Sequence, residues 1–146
     1  MLKKVVVLLM SSIITCSMAQ AAINKIAIVD MQKVVNKSTQ VKNLQNEQNA
    51  KQKEIAAFVK KASDEISNQK NEATKKALAE KYQKELKAKQ TNNANAYKIK
   101  LEAIDKNIKD TIAKEARLMG YDAVFNKGAV LYGGTDITEA ILKVVK

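Results

Sequence analysis

The sequence predicts an α+β protein in which a long antiparallel helical hairpin projects from a small β-sheet body. Three observations predict it. All four glycines fall between 120 and 134, and the chain has no proline. From about Gln40 to Met119 it is dense in Lys, Glu, Gln, Asn and Ala, largely good helix formers. Short β-branched runs stand before and after that stretch.

The chain opens with a leader. Met1-Leu2-Lys3-Lys4 is a positive head, Val5 to Ile14 is apolar apart from Ser11 and Ser12, and Ala19-Gln20-Ala21 is a small-x-small cleavage signal. As a helix, that apolar run spans about 15 Å, half of a hydrocarbon core of about 30 Å. Residues 1–21 are therefore expected to be a cleaved export signal, leaving a soluble chain from Ala22. A lipid anchor on Cys16 is the competing reading, and Thr15 fits it poorly. Without the leader the net charge is +9 and no cysteine remains, which suits an oxidising export compartment. Only 35 apolar residues larger than Ala then serve 125 positions, too few for a thick single core.

Lys25-Ile26-Ala27-Ile28-Val29-Asp30 reads as a strand, Met31–Val35 shifts to helical spacing, and Asn36, Ser38 and Thr39 offer a break and a helix cap. In 40–119, apolar residues recur at steps of three and four: Val41, Leu44, Ile55, Val59, Ala62 and Ile66, then Tyr97, Leu101, Ile104, Ile108, Ile112 and Ala116. Such narrow stripes are coiled-coil seams. Between Ser67 and Ala96 only Leu78, Tyr82 and Leu86 are large and apolar, so a fold-back near Gln69–Thr74 lets the two striped halves bury each other. Acids four residues before lysines, such as Glu47–Lys51, Glu85–Lys89 and Asp105–Lys109, should add a few tenths of a kcal/mol each.

After Gly120, residues 121–125, 126–128 and 129–132 read as strand, turn, strand. Asp136 and Glu139 form a candidate capping box ahead of a short final helix carrying Ile137, Ile141, Leu142 and Val145. One strand before the hairpin and two after it must meet, so 22–39 and 120–146 form the body and 40–119 an arm. Open sheet edges on so small a body favour oligomerisation through Ile26, Ile28, Val124, Phe125, Val130 and Leu131.

Much chemistry is excluded. With no histidine and one cysteine there is no imidazole or thiolate metal cage and no histidine-assisted nucleophile, and no phosphate-cradling glycine loop occurs. Asp64-Glu65 is the only adjacent acid pair, and neighbouring helical positions face different ways. We therefore expect no enzyme, no catalytic residue, no metal and no cofactor. The excess charge sits in 70–100, in Lys70, Lys75, Lys76, Lys81, Lys84, Lys87, Lys89, Lys98 and Lys100, with Leu78, Tyr82 and Leu86 among them. Twelve such residues make a candidate surface for an anionic or unfolded partner. Nucleic acid is disfavoured by the export signal, by the single Arg and by the lack of an aromatic stacking platform.

The order of parts, with KIAIVD at 25–30, GYDAVFNKGAVLY at 120–132 and DITEAILKVVK at 136–146, resembles the Skp/OmpH family of periplasmic chaperones. The resemblance covers essentially all of 22–146. It implies a homotrimer with a shared β body and three helical tentacles around a cavity. It also implies an ATP-independent holdase for unfolded outer-membrane proteins, with lipopolysaccharide as a further partner. The alternative reading is an envelope structural coiled coil that binds lipopolysaccharide or peptidoglycan.

Overall fold

The computed structural model describes residues 25–145, so the leader expected at 1–21 lies outside the described residues. In chain order the elements are β1 (Ile26–Val29), α1 (Met31–Lys37), α2 (Thr39–Ser67), α3 (Glu72–Leu118), β2 (Ala123–Asn126), a 3₁₀ turn (Lys127–Ala129), β3 (Thr135–Asp136) and α4 (Thr138–Leu142).

Side-chain caps set the helix starts. Asp30 accepts from the Lys33 backbone N–H at 2.9 Å and opens α1. One residue, Ser38, closes α1 and opens α2; it is fully buried, and its hydroxyl accepts from Val41 N–H. Asn71 opens α3 by accepting from Ala73 and Thr74 N–H at 2.9 and 3.1 Å. The chain turns at Asn68–Asn71, at the front of the expected window, because Asn71 supplies the cap that a glycine-free turn needs.

β1 lies at the centre of a three-stranded parallel sheet in the order β2-β1-β3, with Ala27 beside Val124 and Thr135. The expectation of an antiparallel pair at 121–132 is not met. The Asn126 side chain accepts from Gly128 N–H at 3.2 Å and turns the chain out of β2, so Val130–Tyr132 is a crossing segment and no strand. Gly133 and Gly134, with φ of +88° and +86°, then bring it back parallel as Thr135–Asp136. Val130 is half-buried, whereas Leu131 and Tyr132 stand fully exposed.

One face of the sheet carries the core. Ala27 and Val29 pack with Val34 of α1, Ile108, Ile112 and Ala116 of α3, and Ile137 and Ile141 around α4. The last turns of α3 therefore cover the sheet, although their spacing read as a continuation of the arm seam. Beyond them α2 and α3 run antiparallel. Gln40 meets Asn107, Glu47 meets Lys100 and Glu65 meets Tyr82, each step along α2 matched by an equal step back along α3. At 47 residues, α3 is about 70 Å long.

The expected capping box does not form. Asp136 accepts from Thr138 N–H at 2.9 Å, but Ile137 starts α4 without a side-chain cap, and Glu139 pairs with Lys33 of α1. The Thr138 hydroxyl accepts from Asp30 N–H at 2.9 Å, and Lys127 holds Asp136 at 2.7 Å, so this polar cluster ties β1, β3 and α4 together. The Lys127 ammonium, then the two Thr138 donors, hold the Asp136 carboxyl well below the usual carboxylate range. A depressed folded-state pKa stabilises above the unfolded value of about 4 and is lost as pH falls below it. Asp136→Asn is thus expected to lower the melting temperature at pH 7, with a gap to the parent that is smaller, but still present, at pH 2.5, as thermal melts at both pH values will measure.

Candidate functional site

The surface that carries the excess charge is the distal half of the α2/α3 pair. Of the nine lysines there, Lys75, Lys81, Lys98 and Lys100 pair with Glu72, Glu85, Glu102 and Glu47. Lys89 lies 5.1 Å above the Phe58 ring, a cation–π contact. Among the described residues, Lys70, Lys76, Lys84 and Lys87 have no carboxylate within 4.0 Å, and all four are exposed. These four lie along the outer half of the arm, from the turn at Lys70 to Lys87, where they can draw anionic groups without first breaking a pair.

Local pairing differs from the simple acid-before-base rule. Asp105–Lys109 forms, but Glu47 reaches across to Lys100, Lys51 turns to Glu54, and Glu85 and Glu102 take the lysines four residues before them. All of these pairs are exposed and contribute little each. Their main consequence is register: the Glu47–Lys100 bridge ties the two helices in the third of α2 nearest the body.

Leu78, Tyr82 and Leu86 are half-buried, so the structure places them in the contact between the helices as well as at its margin. Tyr82 packs edge-on to Phe58, with ring centroids 5.6 Å apart, and donates its hydroxyl proton to Glu65. That hydrogen bond, ahead of desolvation and the Glu65 charge, raises the Tyr82 hydroxyl above the ordinary tyrosine range. Neither Glu65 nor Phe58 is among the twelve candidate residues. Both are recruited by cross-helix register, which becomes visible only when Glu65 is set opposite Tyr82.

The body carries a second surface. An apolar cavity of about 410 Å³ lies beside the free edge of β2, with Val29, Ile112, Ala116, Val124 and Phe125 in its wall. Ile26 and Phe125, on the sheet face opposite Ala27 and Val124, are exposed, as are Leu131 and Tyr132 of the crossing segment. Val124 and Ile28 are half-buried, and Val124 packs against the core cluster.

A family model described as Outer membrane protein (OmpH-like) matches residues 25–145. The chain belongs to the OmpH-like family. The match spans all the described residues, strands and long helices alike. At the level of the family, an OmpH-like protein is a periplasmic chaperone that binds outer-membrane proteins and forms oligomers. No curated protein matches the chain. Among the described residues of this OmpH-like chain, no helix is long and apolar enough to cross a membrane.

Proposed function

We propose that this chain is an ATP-independent holdase that captures unfolded outer-membrane proteins in the periplasm after removal of residues 1–21. It works as a homotrimer: 22–39 and 120–146 supply the shared body, and 40–119 supplies one of three arms around a common cavity. The observation that carries this reading is the uneven build of the arm. Glu47, Phe58 and Glu65 hold it together at spaced points, and four lysines with no acid partner among the described residues, Lys70, Lys76, Lys84 and Lys87, lie along its outer half.

A holdase that releases its client without fuel needs contacts that are numerous, weak and adaptable. Exposed lysines on long stems, interleaved with half-buried Leu78, Tyr82 and Leu86, fit that requirement and form no rigid pocket. The same lysines suit the phosphates of lipopolysaccharide as a further partner. In the body, the exposed Ile26, Phe125, Leu131 and Tyr132 and the cavity beside β2 provide apolar surface for neighbouring copies.

An outer-membrane β-barrel diluted from urea tests the reading by light scattering. The protein is expected to suppress scattering at about one trimer per client without nucleotide, and no suppression rejects the holdase. Suppression should weaken between 50 mM and 500 mM salt, where the screening length shrinks severalfold. It should stay level from pH 6 to 8, because the chain has no histidine.

A further inference from the structure

The two sides of the α2/α3 pair differ in chemistry. On one side a cleft of about 290 Å³ is lined by Glu47, Lys51, Glu54, Lys89, Asn92 and Asn93, among others. On the other a groove of about 350 Å³ is walled only by uncharged residues, Val59, Ala62, Ile66, Ala79, Gln83 and Leu86 among them. Helical steps of three and four extend that second side along α2 through Gln45, Gln48, Gln52, Ala56, Val59 and Ser63. On α3 the facing row is Ala79, Gln83, Leu86, Gln90, Ala94 and Tyr97. Neither row contains a charge, whereas the opposite row of α2 carries Glu47, Lys51, Glu54, Lys61 and Glu65.

We infer that the uncharged side is a docking lane for an extended segment of unfolded polypeptide, apolar in its side chains and flanked by acidic residues. This rests on the holdase reading and names the surface that performs it. Another helical arm is a poor occupant, because five glutamines stand where a packed seam requires Leu or Ile. Glutamine amides both donate and accept, so they can satisfy an extended backbone while Val59 (45% exposed), Leu86 and Tyr97 take its side chains. The stripe that borders the α3 row carries Lys76, Lys84 and Lys87 against one acid, Glu80, a net positive edge that favours acidic flanks. On the register set by Glu47–Lys100 and Glu65–Tyr82 the two rows face each other from about residue 50 to Ser63, about 20 Å, room for about six extended residues.

Photo-crosslinking of the mature full chain tests the lane. p-Benzoylphenylalanine replaces Ser63 or Gln83 on the lane, and Lys51 or Asn92 on the opposite side. An outer-membrane β-barrel polypeptide diluted from urea is the probe. Adducts with the probe are expected to be at least fivefold more abundant from the two lane positions. Equal or reversed yields overturn the lane, as do lane adducts formed with a second copy of this chain, or no adduct from any position. Light scattering of the unsubstituted protein runs alongside. Suppressed aggregation with evenly spread adducts rejects the lane alone, whereas absent suppression rejects the holdase reading and the lane with it.

Discussion

Replacing Ile108 by Ala is expected to cost about 3 kcal/mol of folding free energy, a large fraction of what so small a body can hold. Ile108 is 2% exposed and sits where the long helix α3 leaves the arm and lands on the sheet, against the cluster formed by Ala27, Val29, Val34 and Ile141. The loss has two sources. Three heavy atoms lose their apolar contacts, and a cavity opens that the sheet and α1 cannot both move to fill, since Ser38 and the Asp30 cap fix α1 at its ends. Urea denaturation at fixed protein concentration checks it. An equivalent truncation in the arm, Leu101→Ala, should cost well under half as much, because Leu101 is 44% exposed. Equal losses at the two positions would show that the molecule has no distinct core.

Gly134→Ala is expected to be the more damaging of two glycine substitutions. Gly134 and Gly120 both have positive φ, +86° and +79°, so either alanine carries a backbone cost of about 1 kcal/mol. At Gly120 a Cβ would meet nothing within 4 Å, and the cost ends there. At Gly134 the Cβ would stand 2.7 Å from the Ile28 Cγ2 methyl, with the Ile26 carbonyl oxygen at 3.7 Å behind it. Relief requires β3 to move off β1, which breaks the Ile28–Asp136 pairing and the Ile137 N–H to Ile28 carbonyl bond at 3.0 Å. We expect an added loss of about 1–3 kcal/mol from that overpacking. Amide exchange should show it as faster exchange at Ile137 in Gly134→Ala but not in Gly120→Ala.

The arm was legible in the sequence because a helix repeats itself locally. Glycine-free, lysine- and glutamate-rich stretches with apolar steps of three and four leave little else for 39–67 and 72–118 to be. The break at Ser38 and the stop at Gly120 could be read for the same reason, since a cap is a contact within one turn. The sheet was legible in part. Residues 25–30 and 121–125 read as strands, close to the observed Ile26–Val29 and Ala123–Asn126, but whether they pair parallel depends on where residues a hundred positions apart are brought together. Val130–Tyr132 has better strand composition than Thr135–Asp136, yet the Asn126 turn and the Gly133-Gly134 return decide which segment reaches the edge of β1. The candidate site divides in the same way. A concentration of lysines in 70–100 is a count. Which of them are spent on Glu47, Glu72, Glu85 and Glu102, and that one side of the helical pair is free of charge, emerges only when two helices are set in register.

Small-angle X-ray scattering of the mature protein asks most directly whether this polypeptide invests in reach. α3 alone requires a maximum dimension of at least about 70 Å, and a trimer of arms should exceed it, with a pair-distance distribution skewed to long vectors. A symmetric distribution ending below about 55 Å, as three copies of this chain packed into one compact globule would give, contradicts the arm and every function assigned to it.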